Sequence, residues 1–165
     1  MKKYNNQKGF TFIEVFVSTA LFSIIMVVFM SYFLFCIKNC NNQIERLNTK
    51  ENLRYALTYI ERSIKICNQK NITYNEIIKR FEGKDQENYK AFIDLSGKIQ
   101  YENHVLIYFY KNKGQLRTNK NYEHNVLVEG IKKIDVTEVI KNKLIEIEIF
   151  GNVGESVKAR FKIND

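Results

Sequence analysis

A chain of 165 residues has room for one modest domain and an anchor. Hydrophobic residues make up 45% of it and aromatics 13%, enough for a real core and too much for a solvated tail. The formal charge of +8 can signal nucleic acid or anionic lipid, but the lysines are scattered rather than gathered in a patch, which argues against a dedicated nucleic-acid surface.

The first nine residues, MKKYNNQKG, are polar and carry Lys2, Lys3 and Lys8. From Phe10 to Ile37 the only charge is Glu14. As a helix this stretch is roughly 42 Å long against a hydrocarbon core of about 30 Å, so it can span a bilayer. A secretory signal peptide needs a shorter apolar core and an A-x-A-like exit, and here the apolar run continues past any such point. A plain signal anchor fits the length but leaves Glu14 unexplained. A carboxylate in a membrane helix costs about 2.5–3.5 kcal/mol at the centre and less near an edge, which makes Glu14 a functional candidate. The positive-inside count is nearly balanced, because Lys38, Arg46 and Lys50 follow the span as the three lysines precede it.

No Gly or Pro interrupts the chain from Phe10 to Cys67, so one long helix is expected. Beyond Lys38 its pattern becomes amphipathic, with Ile44, Leu47, Leu53, Leu57, Ile60, Ile64 and Cys67 on one stripe. Arg46, Lys50, Arg54, Glu61, Arg62 and Lys65 occupy mostly the other faces, and Glu61 to Lys65 is a favourable i,i+4 pair. Cys36, Cys40 and Cys67 all fall on this helix. The first two are badly aimed for a bridge and neither easily reaches Cys67, so no intramolecular disulfide is expected. No CxxC or Cys/His metal spacing is present, and no metal or cofactor is expected.

Residues 69–98 read as polar and irregular, with a short helix predicted over Tyr74–Phe81 and an exposed turn at Gly83–Gln86. Strand signals follow. Val105–Tyr110 is apolar on both faces and suits a central strand. Gln115–Thr118 follows a turn at Gly114. Ile131–Ile140 and Leu144–Phe150 flank a Lys141-Asn142-Lys143 turn, and Ser156–Ile163 completes the set. Ile145, Ile147 and Ile149 alternate with Glu146 and Glu148, as Val157, Ala159, Phe161 and Ile163 alternate with Lys158, Arg160 and Lys162. A loop at Gly151–Glu155 sets Glu148 opposite Lys158 and Glu146 opposite Arg160, with the apolar side toward the helix. The order predicts an α+β fold: one long N-terminal helix, membrane-spanning in its first half and amphipathic in its second, on a mostly antiparallel sheet.

The segment Lys8-Gly9-Phe10-Thr11-Phe12-Ile13-Glu14-Val15 resembles the prepilin cleavage and methylation motif of the type IV pilin-like family. The resemblance implies that prepilin peptidase cuts between Gly9 and Phe10, that Phe10 is then N-methylated, and that Glu14 serves filament assembly. It divides the chain into a leader over 1–9, a transmembrane and filament-core helix over 10–37, an amphipathic continuation over 38–68, and a head over 69–165 that packs with 38–68. Cleavage removes three lysines and lowers the formal charge from +8 to +5. It also leaves a free apolar amino terminus, whose charge a neighbour's Glu14 would offset; both groups lose water, so the pair is better suited to setting register than to raising stability. The implied location is the cell membrane, single-pass, with the N-terminus cytoplasmic and the head outside, and an extracellular filament after assembly. The implied partners are prepilin peptidase and other minor and major pilins or pseudopilins.

Within the family, Arg46-Leu47 and Asn52 through Arg62, with Leu127-Val128-Glu129-Gly130-Ile131, resemble J-type pseudopilins and W-type minor pilins, with competence-type pseudopilins a close alternative. The reading that follows is a non-catalytic minor subunit of a type IV pilus, competence pseudopilus or type II secretion pseudopilus, in a tip or initiating complex. The alternative is a membrane-anchored binding module that presents a head to DNA or a surface ligand; it needs clustered basic and aromatic residues. An anchored enzyme is disfavoured. His104 and His124 belong to no metal or triad motif and read as surface or structural histidines, and neither a phosphate-binding glycine loop nor a dense Asp/Asn calcium loop occurs.

Overall fold

Residues 10–67, 72–84, 86–98, 105–120 and 123–163 are described by a computed structural model. The unbroken helical pattern becomes a single helix, α1, over Phe12–Cys67. It runs through two compact units, Met1–Ile44 and Glu45–Asp165. In the first unit the helix is exposed on every side, although its surface is almost wholly apolar. Its serine hydroxyls are satisfied on its own backbone: Ser18 Oγ donates to the Glu14 carbonyl at 2.7 Å, Ser23 to Thr19 at 2.8 Å and Ser31 to Val27 at 2.9 Å. That back-bonding lets small polar residues sit in an apolar medium without orphaned donors.

The second unit is a head built on the last four turns of α1. Leu53, Ala56, Leu57, Ile60, Ile64 and Cys67 form its buried stripe. Two sheets supply the rest. The first has six strands in sequential order: β1 (Thr73–Asn75), β2 (Arg80–Lys84), β3 (Lys90–Asp94), β4 (Val105–Tyr110), β5 (Gln115–Lys120) and β6 (Glu123–Val128). Every pairing is antiparallel except β3 with β4. The second is an antiparallel meander of β7 (Ile131–Ile140), β8 (Leu144–Gly151) and β9 (Ser156–Lys162). One apolar core joins all three layers, with Ile93, Ile107, Phe109 and Leu116 from the first sheet and Ile134, Ile145, Ile147 and Ile149 from the second. The architecture is therefore α+β, with the long helix packed on mostly antiparallel sheet.

The alternation in the last strands yields the expected register: Glu146 lies opposite Arg160 and Glu148 opposite Lys158. The ion pairs converge more than register alone implies. Lys158 Nζ crosses diagonally to Glu146 Oε1 at 2.8 Å, while Arg160 Nε donates to Glu146 Oε2 at 2.8 Å. Long side chains reach such diagonal neighbours easily. Glu61 and Lys65 pair at 2.7 Å on the helix surface, as their spacing predicts.

Three expectations are corrected. Tyr74–Phe81 is not a helix: Tyr74 and Phe81 face each other across the β1–β2 hairpin, with ring centroids 4.7 Å apart. Gly83 and Lys84 belong to strand β2 rather than to a loop. Gly83 is there for close approach, because a Cβ at that position would run into the backbone carbonyl of Cys67 at the end of α1. The buried stripe starts at Leu53 rather than at Ile44, since Leu47 is 65% exposed and Ile44 is half exposed.

Three outcomes test this packing in detergent-solubilised full-length protein. Ile60→Ala opens a cavity in the core and should lower the unfolding free energy by about 2–5 kcal/mol; Leu47→Ala should change it by no more than about 0.5 kcal/mol. Gly83→Ala should cost at least about 1 kcal/mol by forcing β2 off the helix end; unchanged denaturant midpoints would contradict the packing. Glu146 is held below the ordinary 4.5, first by its hydrogen bond to Lys158 and then by that to Arg160. A lowered carboxylate pKa contributes stability that is present above the unfolded value and lost as pH falls through the folded one. Glu146→Gln should thus flatten the acid limb of the melting-temperature profile below about pH 5 and leave its shape near neutrality unaltered.

Candidate functional site

The residues singled out from sequence cluster at the start of α1. Gly9 lies outside the described residues. Phe10 and Thr11 are exposed and precede the helix, which begins at Phe12. Thr11 occupies the N-cap position, and its carbonyl accepts the first helical bond from Val15 N at 3.3 Å. Glu14 stands three residues later and turns back toward the cap. Its Oε2 accepts from Thr11 N at 2.8 Å and from Thr11 Oγ1 at 2.9 Å.

This is the carboxylate half of a capping box, in which a Thr-x-x-Glu sequence ties the third helical residue to the N-cap. The carboxylate also lies within the first turn, where the helix dipole favours negative charge. Glu14 therefore has a local partner within its own chain. The cap is readable in the Thr11-Phe12-Ile13-Glu14 spacing, a local role beside the membrane cost and the assembly role that the sequence suggests for Glu14. One oxygen is committed to Thr11; among the described residues nothing bonds to Oε1. The arrangement can hold the start of the helix in one geometry and still offer an acceptor to a cation from outside the chain.

Around the cap lies an apolar surface. Phe10, Val15, Ser18, Thr19 and Phe22 line a shallow depression on the helix flank. Among the described residues α1 is the helix long and apolar enough to cross a membrane, and its apolar window has no burial within the chain. A helix apolar on all sides requires lipid or neighbouring helices around it.

The other candidates sit apart from this end. Cys36 and Cys40 are exposed one turn from each other on α1, and Cys67 is buried at the helix end beside Gly83. His124 lies on β6, where its Nδ1 shares a 2.8 Å hydrogen bond with the hydroxyl of buried Tyr108 across β5. That is a structural role for His124; His104 lies outside the described residues. Among the described residues no group of three or more His, Cys, Asp or Glu side chains is arranged to hold a metal ion.

The family described as the prokaryotic N-terminal methylation motif matches residues 4–30, which cover the Lys8–Val15 segment, the cap and the first half of the apolar helix. No curated protein and no solved structure matches the chain. The match rests on the end of the molecule where the Thr11–Glu14 cap begins an apolar helix unburied among the described residues, and that motif supports a type IV pilin-like or pseudopilin protein.

Proposed function

We propose that the protein is made as a precursor, cut by prepilin peptidase between Gly9 and Phe10, N-methylated on Phe10, and assembled as a minor subunit at the tip or initiating complex of a filament. The filament is a type IV pilus, a competence pseudopilus or a type II secretion pseudopilus. The observation that carries this reading is the methylation motif at the start of a helix whose apolar surface is uncovered. Glycine before the bond gives the peptidase an unhindered backbone. Loss of residues 1–9 removes Lys2, Lys3 and Lys8 and leaves the Phe10 amine next to the helix cap.

In this reading residues 10–37 serve first as a membrane anchor, with the N-terminus cytoplasmic, and then as the filament core. Residues 38–68 support the head over 69–165, which remains outside the membrane. Glu14 acts at both stages. Oε2 stays with Thr11 and orders the first turn, and Oε1 accepts from the amine of Phe10, its own or a neighbour's. Desolvation makes such a pair favourable only when well aligned, so its contribution is to axial register.

The role is structural rather than catalytic. The DNA-binding alternative has no observation in its favour; Lys65, Lys79, Arg80, Lys133, Lys158 and Arg160 each lie against a carboxylate of the chain itself.

Intact-mass analysis of protein from cells with active prepilin peptidase should give a chain that starts at N-methylated Phe10; a mature protein that retains Met1–Gly9 contradicts the assignment. Glu14→Gln keeps the side chain's size and removes its charge. It should leave cleavage and membrane insertion normal while co-purification with neighbouring subunits falls several-fold, on the order of the loss of one aligned charge pair. Thr11→Val removes only the hydroxyl bond and should reduce co-purification less. Equal co-purification of Glu14→Gln and the parent protein would remove the register role and leave Glu14 as a helix cap alone.

A further inference from the structure

The first unit carries apolar surface further along α1 than a bilayer covers. Counted from the cap, about 20 helical residues cross a hydrocarbon core of about 30 Å, so the crossing ends near Tyr32. After Ile37 the chain turns polar, with Lys38, Asn39, Asn41, Asn42 and Gln43. Apolar character then narrows to one stripe at helical spacing: Cys36, Ile37, Cys40 and Ile44. Both cysteines are exposed, Ile37 is 42% exposed and Ile44 50%. Lipid does not suit this stripe, because polar side chains flank it on the same turns. An apolar stripe between polar faces is the surface of a helix that packs on another helix.

Two features of the stripe favour a second copy of this chain as the occupant. The first is charge and register. Phe29, Phe33, Cys36, Cys40 and Gln43 follow one another at alternating steps of four and three, the spacing of a helix-pairing seam. Between Phe10 and Ile44 the charged residues are Glu14 and Lys38. Lys38 falls on the side opposite the seam and Glu14 lies off it, so two copies meet without like charges in apposition. Gln43 puts one polar group on the seam, a device that fixes register. The second feature is the sulfur. Residues one helical turn apart hold their Cβ atoms about 5–6 Å apart, and a disulfide needs about 3.5–4.5 Å. Cys36 and Cys40 therefore do not bridge each other, and Cys67 is buried in the head.

We propose that α1 pairs in the membrane with α1 of a second copy through this stripe, with Cys36 opposite Cys36 of the second copy and Cys40 opposite Cys40. Copies of one single-pass chain enter the membrane the same way round, so the pair is parallel and two-fold symmetric, and each seam residue meets its own counterpart. The pair rests on the membrane anchor of the reading above and not on leader cleavage or the filament.

The test oxidises thiols of the full-length protein in membranes of its own cells with an azodicarboxamide. Two thiols lose two protons and two electrons to the azo bond, which becomes a hydrazine. Non-reducing gels should show a species of twice the chain's mass, and mass spectrometry should find Cys36 joined to Cys36 and Cys40 joined to Cys40. Cys36→Ser and Cys40→Ser should each keep the dimer through the remaining pair, Cys67→Ser should leave it unchanged, and the Cys36→Ser/Cys40→Ser double variant should lose it. Lys38→Cys in that double variant puts a thiol on the opposite side, and should give at least about tenfold less dimer than Cys40 alone. A bond within one chain, a bond to a different protein, no dimer, or equal dimer from Lys38→Cys overturns the pair. Protein found in the membrane fraction without dimer overturns the pair alone; protein outside that fraction overturns the anchor with it.

Discussion

The structure depends on one continuous helix whose two parts require different surroundings. Nothing in Phe12–Cys67 interrupts backbone hydrogen bonding, so the helix persists while its side chains change from apolar on every side to apolar on one stripe. In the first part no face is buried within the chain. The hydrophobic effect then demands an external cover, and lipid or the helices of other subunits are the media that do not penalise it. In the second part the stripe of Leu53, Ala56, Leu57, Ile60, Ile64 and Cys67 nucleates a head of its own.

That division gives the two ends of the protein different work. The N-terminal end is specified by few residues. Thr11 and Glu14 close the helix start with two hydrogen bonds, and the carboxylate stays in the only part of the apolar stretch where a helix end favours negative charge. A glutamate further along the span would have neither the cap nor the dipole to offset its desolvation. Its position leaves the proposed assembly role compatible with the cap, since one carboxylate has two oxygens and the cap uses one.

The head is held by burial rather than by charge. Its ion pairs lie on rims: Glu61 with Lys65, Asp135 with Lys133 and Lys79, Glu146 with Lys158 and Arg160. Exposed pairs of this kind contribute little each.

The sequence by itself determined the features written in local periodicity or in a contiguous motif. The Lys8–Val15 segment, the unbroken α1, the strands β7 to β9 and the register of β8 on β9 were legible because each depends on neighbours close along the chain: a spacing, an absence of breakers, an alternation of period two flanked by turn residues. The Thr11–Glu14 cap was equally legible and belongs to the same class. Tertiary structure decided what depends on distant partners. Strands β1 to β3 are short, and Gly83 reads as a loop residue until the end of α1 is seen to press against it. Strand β6, Glu123–Val128, is polar in its first half and exposed over its first four residues, so its clearest mark is the ladder it forms with β5. The fully buried stripe on α1 starts at Leu53, one turn after Gly151 of β8 first comes against the helix at Thr49; the period-3.6 pattern continues toward Ile44, but a pattern states which residues share a face and not where another element comes to cover it.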